Sequence, residues 1–232
     1  MSIALLELGA NALGDLAREV VFTGGATVGL WITDPAAPEP RPTEDVDVIV
    51  EVTSRGRFAD FEQRLRRRRF REDRESGILC RWRHAESDLV LDAMPMDGTI
   101  LGFENRWQGP AVPYAIKREL PSGTKIAAVS PPFLIATKLE AFASRGRDDY
   151  IASRDMADIV SLLDGRAELV DEIARAPEEL RRYLASELSR HRAHPRFIDG
   201  VYAGLPPDDA SQARAEEIVL PRLAAIAAAK RW

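Results

Sequence analysis

Thr43-Glu44-Asp45-Val46-Asp47-Val48-Ile49-Val50 decides how the first half of this chain is read. Val46, Val48, Val50 and Val52 are β-branched and Ile49 joins them, so residues 45–52 are predicted to form a strand. Side chains alternate along a strand, which puts Asp45 and Asp47 on one face of the sheet. Carboxylates held side by side repel and raise each other's pKa. A counter-cation removes that cost, and hard oxygen donors suit Mg²⁺ or Mn²⁺. The competing reading is a solvent-exposed strand edge carrying two solvated acids.

Upstream, the apolar run Val20-Val21-Phe22 stops at Thr23-Gly24-Gly25 and gives way to a short helix from Ala26 to Ile32. Two glycines let backbone amides approach a phosphate, and a following helix N-terminus favours an anion; alone, the pattern is more often just a tight turn. Downstream, Asp88-Leu89-Val90-Leu91-Asp92-Ala93-Met94 reads as a strand in which Asp92 lies among apolar neighbours. Beside a strand with paired acids, Asp92 completes a candidate three-carboxylate metal cage with Asp45 and Asp47.

The remaining elements follow from period and punctuation. Residues 3–19 have helical spacing, and prolines 35, 38, 40 and 42 demand an extended loop. A helix is expected over 57–70 with Phe58, Phe61, Leu65 and Phe70 inward, then strands at 78–84 and 88–94 around Ala85-Glu86-Ser87, and a last strand pair within 111–129. From Ser130-Pro131-Pro132 onward the chain reads helical, at 132–144, 153–163, 166–174, 177–190 and 209–230. The fold class is therefore α+β: a mixed sheet flanked by helices over 1–129, and a helical region over 130–232.

Composition limits the function classes. The 232 residues are 45% hydrophobic and 30% charged, ordinary for a globular protein. One cysteine, Cys80, excludes an internal disulfide framework and fits a reducing compartment. With no membrane-length apolar run and no signal peptide, a cytoplasmic protein is the expectation. The net charge of −5 argues against a general polyanion binder, yet residues 54–83 hold eleven arginines against five acids.

A Gly-Gly turn after a strand, an Asp-x-Asp on the next strand and a later strand acid resemble the DNA polymerase β-like nucleotidyltransferase superfamily. Ala136-Thr137-Lys138-Leu139-Glu140-Ala141-Phe142-Ala143-Ser144-Arg145, followed by Ser153-Arg154-Asp155-Met156-Ala157-Asp158-Ile159, resembles the AbiEii/AbiGii-type (MenT-like) toxins. The resemblance covers about residues 20–163 and implies metal-dependent transfer of a nucleoside monophosphate from an NTP to an acceptor hydroxyl. It further implies that Asp45 and Asp47 hold the metals and that Asp92 or Asp155 serves the acceptor. Thr23, Gly24 and Gly25 would cradle the triphosphate, Lys138 would neutralise it, and Asp158 would complete the nucleotide site. RNA, specifically a tRNA 3′ end, is the implied acceptor, and a cognate antitoxin the implied partner in a toxin–antitoxin or phage-defence system. Two departures stand out: the Pro-rich loop lengthens the gap between the motifs, and Ala26 replaces the serine that often follows the glycines, leaving Thr23 as the nearby hydroxyl.

Two rival functions share these motifs. A small-molecule (antibiotic-type) nucleotidyltransferase would use the acidic remainder of the chain for cationic substrates, and a non-catalytic binding protein would keep only the fold. The run Arg64-Leu65-Arg66-Arg67-Arg68-Arg69-Phe70-Arg71 reads either as a phosphate-binding face or as a solvated helix surface balanced by Glu72, Asp73 and Glu75. Taken singly, Lys138 is a surface lysine, Asp155 and Asp158 a solvated face, and His191 and His194 surface residues near a helix end. Trp31, Trp82, Trp107 and Trp232 read as packing or terminal residues.

Overall fold

The computed structural model describes residues 2–102, 105–146 and 148–228. Trp232 and the end of the expected 209–230 helix lie outside them. The chain forms two compact units, Met1–Leu30 with Pro42–Ser130, and Trp31–Arg41 with Pro131–Trp232.

The first unit is built on a seven-stranded mixed sheet in the order β3-β4-β5-β2-β1-β7-β6. Its elements are α1 (Ser2–Leu13), β1 (Val20–Thr23), β2 (Asp45–Val50), α2 (Arg55–Arg67), β3 (Phe70–Glu72), β4 (Arg81–His84), β5 (Val90–Pro95), the short α3 (Gln108–Ala111), β6 (Ile116–Glu119) and β7 (Lys125–Ala128). β2 runs antiparallel to β1 and parallel to β5, so it is hydrogen-bonded along both edges. α1 packs on β2. Val46, Val48 and Val50 are fully buried, whereas Asp45 and Asp47, on the opposite face, are half-buried. The aspartates therefore lie on a central strand, not on an exposed strand edge.

Several local expectations shift by a few residues. The first helix stops at Leu13 and continues as a 3₁₀ segment, Gly14–Arg18, because Gly14 takes a positive φ of 55°. The segment after the Gly-Gly turn is also 3₁₀, Gly25–Leu30. α2 begins after Ser54, whose hydroxyl accepts from Arg57 N–H, and buries Phe58, Phe61 and Leu65. It ends before Phe70, which turns inward from β3 because Arg69 reverses the chain at φ 64°.

The second unit is helical: α4 (Pro131–Arg145), α5 (Arg154–Gly165), α6 (Leu169–Ala174), α7 (Glu178–Arg192), α8 (Phe197–Ala203), α9 (Asp209–Arg214), a π-helical turn Ala215–Val219 and α10 (Leu220–Ala228). α8 is additional to the expected helices. Pro131 and Pro132 occupy the first turn of α4, where missing N–H groups cost nothing. The Pro-rich segment 31–41 is anchored here: Thr33 and Asp34 N–H both donate to the Gly165 carbonyl, and Arg214 bridges Asp34 (2.6 Å) and Asp164 (2.8 Å). No described helix is long and apolar enough to cross a membrane.

His191 corrects a sequence expectation, being 1% exposed rather than on the surface. It packs against Phe142, Tyr150 and Phe197. Arg190 lies 3.3 Å from its Nε2 and can only donate, so the proton sits on Nδ1, 2.7 Å from the Tyr150 hydroxyl. His194, the other member of the expected pair, is half-buried beside Tyr150.

Burial and then the Arg190 charge push the His191 pKa down to about 4, against the smaller upward pull of Glu187 and Asp148. Between that value and the ordinary 6.5, the unfolded chain binds a proton that the folded chain refuses. Stability should therefore be full above pH 6.5 and fall as the pH drops toward 4, by up to about 1.4 kcal/mol per unit. Urea denaturation between pH 7 and 5 should show this slope in the wild type and a flatter one in His191→Gln; equal slopes would refute the assignment.

Candidate active site

Register builds the first constellation. Thr23 on β1 pairs with Asp47 on β2, Asp47 with Asp92 on β5, and Asp92 with Arg81 on β4. Directly opposed residues share a face, so these four side chains form a row across four neighbouring strands. Asp45 lies on the same face, two residues before Asp47. Thr23 and Asp92 are buried, at 6% and 7% exposure.

Arg81 is the residue that sequence reading passed over. Its Nε donates to Asp92 Oδ1 (2.8 Å), and its Nη2 donates both to Asp92 Oδ2 (2.7 Å) and to Asp45 Oδ2 (2.8 Å). Its pKa is raised, first by the hydrogen bonds to Asp92 and then by the surrounding carboxylates. The other Asp45 oxygen accepts from the Thr43 hydroxyl at 3.1 Å. Buried Cys80, next in the chain, has its thiol pushed up to about 12 by burial and by the charges of Asp92 and Asp47, which leaves it inert as a nucleophile.

The Gly-Gly turn serves Asp47. Gly24 has φ 74°, and a Cβ there would lie 1.8 Å from Asp47 Oδ2. The carboxylate therefore rests directly on the turn. Thr27 closes it, donating both its N–H (3.2 Å) and its hydroxyl (2.9 Å) to the Gly24 carbonyl. Gly25 and Ala26 are buried behind it.

These donors bear on the expected metal. Carboxylate oxygens of Asp45 and Asp47 on one half-buried face suit a hard divalent ion. Asp92 is placed differently, with both oxygens bonded to Arg81, and among the described residues no group of three His, Cys, Asp or Glu side chains is drawn together as a metal site. The residues fit an ion on Asp45 and Asp47 more directly than one enclosed by all three acids.

The second constellation lies wholly within the helical unit. Lys138 on α4 is 7% exposed, and its Nζ lies 3.2 Å from Asp155 Oδ1 and 2.6 Å from Asp158 Oδ2, both acids on α5. Ser153 caps α5 by accepting from Met156 N–H, and the spacing of three places the two acids on one helix face. Arg145 binds both oxygens of Asp155 at 2.9 Å, and Arg41 binds both oxygens of Asp158 at 2.8 and 2.9 Å. Burial alone would raise the Asp155 carboxyl, but the Arg145 hydrogen bonds and the Lys138 charge outweigh it and hold it below the ordinary value. Lys138, Asp155 and Asp158 are thus a buried ionic cluster, not the surface residues that each suggests singly. Arg41 had no local sequence signal; it comes from the Pro-rich segment.

The basic segment is largely neutralised within the first unit. Arg64 pairs with Glu19, Arg66 with Glu72, Arg68 with Asp15, Arg69 with Glu86, Arg74 with Glu72 and Arg83 with Asp73. Arg66 also covers the Trp82 ring. Arg55, Arg57, Arg67 and Arg71 are exposed and form no ion pair among the described residues.

Gly24→Ala tests the turn against a matched control. Gly77 also has a positive φ, 71°, but a Cβ there would meet nothing within 4 Å. Gly77→Ala should lose only the cost of the left-handed backbone, about 1–2 kcal/mol, whereas Gly24→Ala should lose at least about 1 kcal/mol more because Asp47 must move. Chemical denaturation of the two variants measures the difference; equal losses would show that the Asp47 carboxylate does not depend on the turn.

No curated protein matches the chain. A family model does, over residues 8–229, which takes in both constellations. The mixed sheet with its aspartate row and the helical region with its buried lysine therefore belong to one recognised enzyme type, a nucleotidyltransferase acting as the toxin of a toxin–antitoxin system. The chain is a member of the nucleotidyl transferase AbiEii toxin family of type IV toxin–antitoxin systems.

Proposed function

We propose that this nucleotidyltransferase is metal-dependent and moves a nucleoside monophosphate from an NTP to a hydroxyl of RNA, with a tRNA 3′ end as the acceptor class. The observation that carries the reading is the seating of Asp47 on the Gly24 turn with Asp45 beside it on the same sheet face. Those two carboxylates would hold Mg²⁺ or Mn²⁺, which when bound neutralises phosphate charge.

The acceptor oxygen bonds the α-phosphorus, its proton passes to solvent water, and the bond from the α-phosphorus to the bridging oxygen breaks, releasing pyrophosphate. Phosphoryl transfer of this kind depends mainly on positioning and charge stabilisation. Thr23, Gly24 and Gly25 form the turn beside the metal-binding acids, and Lys138 is the cation assigned to the triphosphate. Asp92 and Asp155 each spend both oxygens on an arginine. Asp155, whose carboxyl Arg145 and Lys138 hold below the ordinary value, and Asp92, whose two oxygens are both taken by Arg81, orient cations rather than accept the acceptor's proton. Asp158, bonded to Lys138 and Arg41, shares that work.

For RNA, the exposed arginines that form no ion pair among the described residues, above all Arg67 and Arg71, supply phosphate contacts. An antitoxin is the expected protein partner, since the family's toxins belong to toxin–antitoxin systems.

Incubating the purified chain with α-labelled NTPs, Mg²⁺ and total RNA tests the proposal. RNA should become labelled, and Asp45→Ala or Asp47→Ala should reduce labelling at least about 10³-fold while far-ultraviolet circular dichroism is retained. Label appearing only on small molecules would transfer the assignment to a small-molecule enzyme, and undiminished labelling by both variants would remove the metal-binding acids. Arg67→Glu with Arg71→Glu should weaken RNA labelling and lower the salt dependence of RNA affinity by about 0.7 per lost phosphate contact, leaving NTP binding unchanged. An unaltered salt slope would take these arginines out of acceptor binding.

A further inference from the structure

We infer that Arg81 is the resident counter-ion of Asp45 and competes with the divalent metal for that carboxylate, so that metal binding requires Arg81 to release Asp45 while keeping Asp92. The inference rests on the proposal that Asp45 and Asp47 hold the metal.

The asymmetry of the Arg81 contacts carries it. Asp92 takes two hydrogen bonds from Arg81, sits directly opposite it in the β4–β5 ladder and has a side chain only 11% exposed. Asp45 takes one hydrogen bond, through the same Nη2 that serves Asp92, and its side chain is 29% exposed. Breaking the Asp45 contact leaves Arg81 bidentate on Asp92 and leaves no buried charge without a partner. Breaking the Asp92 contacts would strand a buried carboxylate, which is far costlier. Asp45 is therefore the releasable partner.

This arrangement answers the repulsion among Asp45, Asp47 and Asp92 in the metal-free protein. It also sets the metal affinity, because the ion must displace a charge-assisted hydrogen bond before it can use Asp45. Arg81 is thus a positioning residue. Its planar fork spans two carboxylates, which a lysine ammonium cannot reproduce with the same geometry.

Mn²⁺ binding to the full chain without nucleotide, followed by the electron paramagnetic resonance signal of the free ion, tests this directly. Arg81→Leu should bind Mn²⁺ about tenfold more tightly than the wild type, the equivalent of one charge-assisted hydrogen bond no longer displaced. Mn²⁺ should also raise its melting temperature by more than that of the wild type. Arg81→Lys, which keeps a cation and is the gentler change for folding, should bind Mn²⁺ with an affinity between the two. In an Asp45→Asn background, removing Arg81 should alter Mn²⁺ affinity by less than about threefold, since the contested carboxylate is gone.

Affinity in Arg81→Leu or Arg81→Lys equal to or weaker than in the wild type overturns the inference alone. A full tenfold gain in the Asp45→Asn background also overturns it, by showing a general field effect rather than competition for Asp45. Absence of Mn²⁺ binding from every one of these proteins, with nucleotide also present, overturns the metal-binding reading and this inference with it.

Discussion

Three carboxylates on one face of a sheet set a condition that the rest of the first unit must meet. β2 is hydrogen-bonded along both edges, and its alternation fixes Asp45 and Asp47 on one side. The parallel register with β5 then brings Asp92 level with Asp47. Neither strand can slip by one residue without sending buried side chains outward, Val46, Val48 and Val50 on β2 or Leu91 and Ala93 on β5. The repulsion is therefore built into the core, and a cation on a neighbouring strand relieves it for Asp45 and Asp92. β4 supplies that cation, held by a short hairpin to β5, while Gly24 makes the space for Asp47 on the other side.

The helical unit meets a related condition with the signs reversed. A lysine with only 7% exposure is costly unless its partners are close and themselves satisfied. Two acids one helical turn apart meet that need, and Arg145 and Arg41 engage their remaining oxygens. Replacing such a network with well-packed apolar residues often leaves a protein equally stable or more so, and this makes a buried lysine a poor device for stability alone.

Much of this was legible in residue patterns, and the misses have identifiable causes. The valines and paired aspartates of β2 and the Gly-Gly turn carry a local signal, because strand period and turn chemistry are short-range properties, whereas Lys138, Asp155 and Asp158 stood out only through the family resemblance. Arg81 escaped because its role depends on hairpin register. A three-residue turn at Ala85-Glu86-Ser87 would set Arg81 opposite Leu91, whereas the observed pairing of His84 N–H with the Leu89 carbonyl makes the turn one residue longer and sets it opposite Asp92. One residue of turn length thus decides whether Arg81 faces the acids or the opposite side. Arg41 escaped for a different reason, since a Pro-rich loop has no period from which to infer what it touches. The burial of His191 was hidden because α8, which supplies Phe197, was not anticipated. The ion pairs that occupy most of the basic segment reach as far as Asp15 and Glu19, beyond any local window.

The anchoring of residues 31–41 has a consequence for biosynthesis. This segment leaves the ribosome between β1 and β2, yet its partners are the carbonyl of Gly165, Asp158 and Arg214. More than a hundred residues must still be made before any of them exists. During that interval the nascent sheet has to form around an excursion whose own contacts are missing, and prolines 35, 38, 40 and 42 keep it extended meanwhile. For the same reason a fragment boundary at Ser130 does not yield two self-sufficient pieces: the amino-terminal piece carries a tether without its dock, and the carboxy-terminal piece lacks the arginine that binds Asp158. The chain is a discontinuous construction in which later-made helices hold a strip made before the second strand of the sheet.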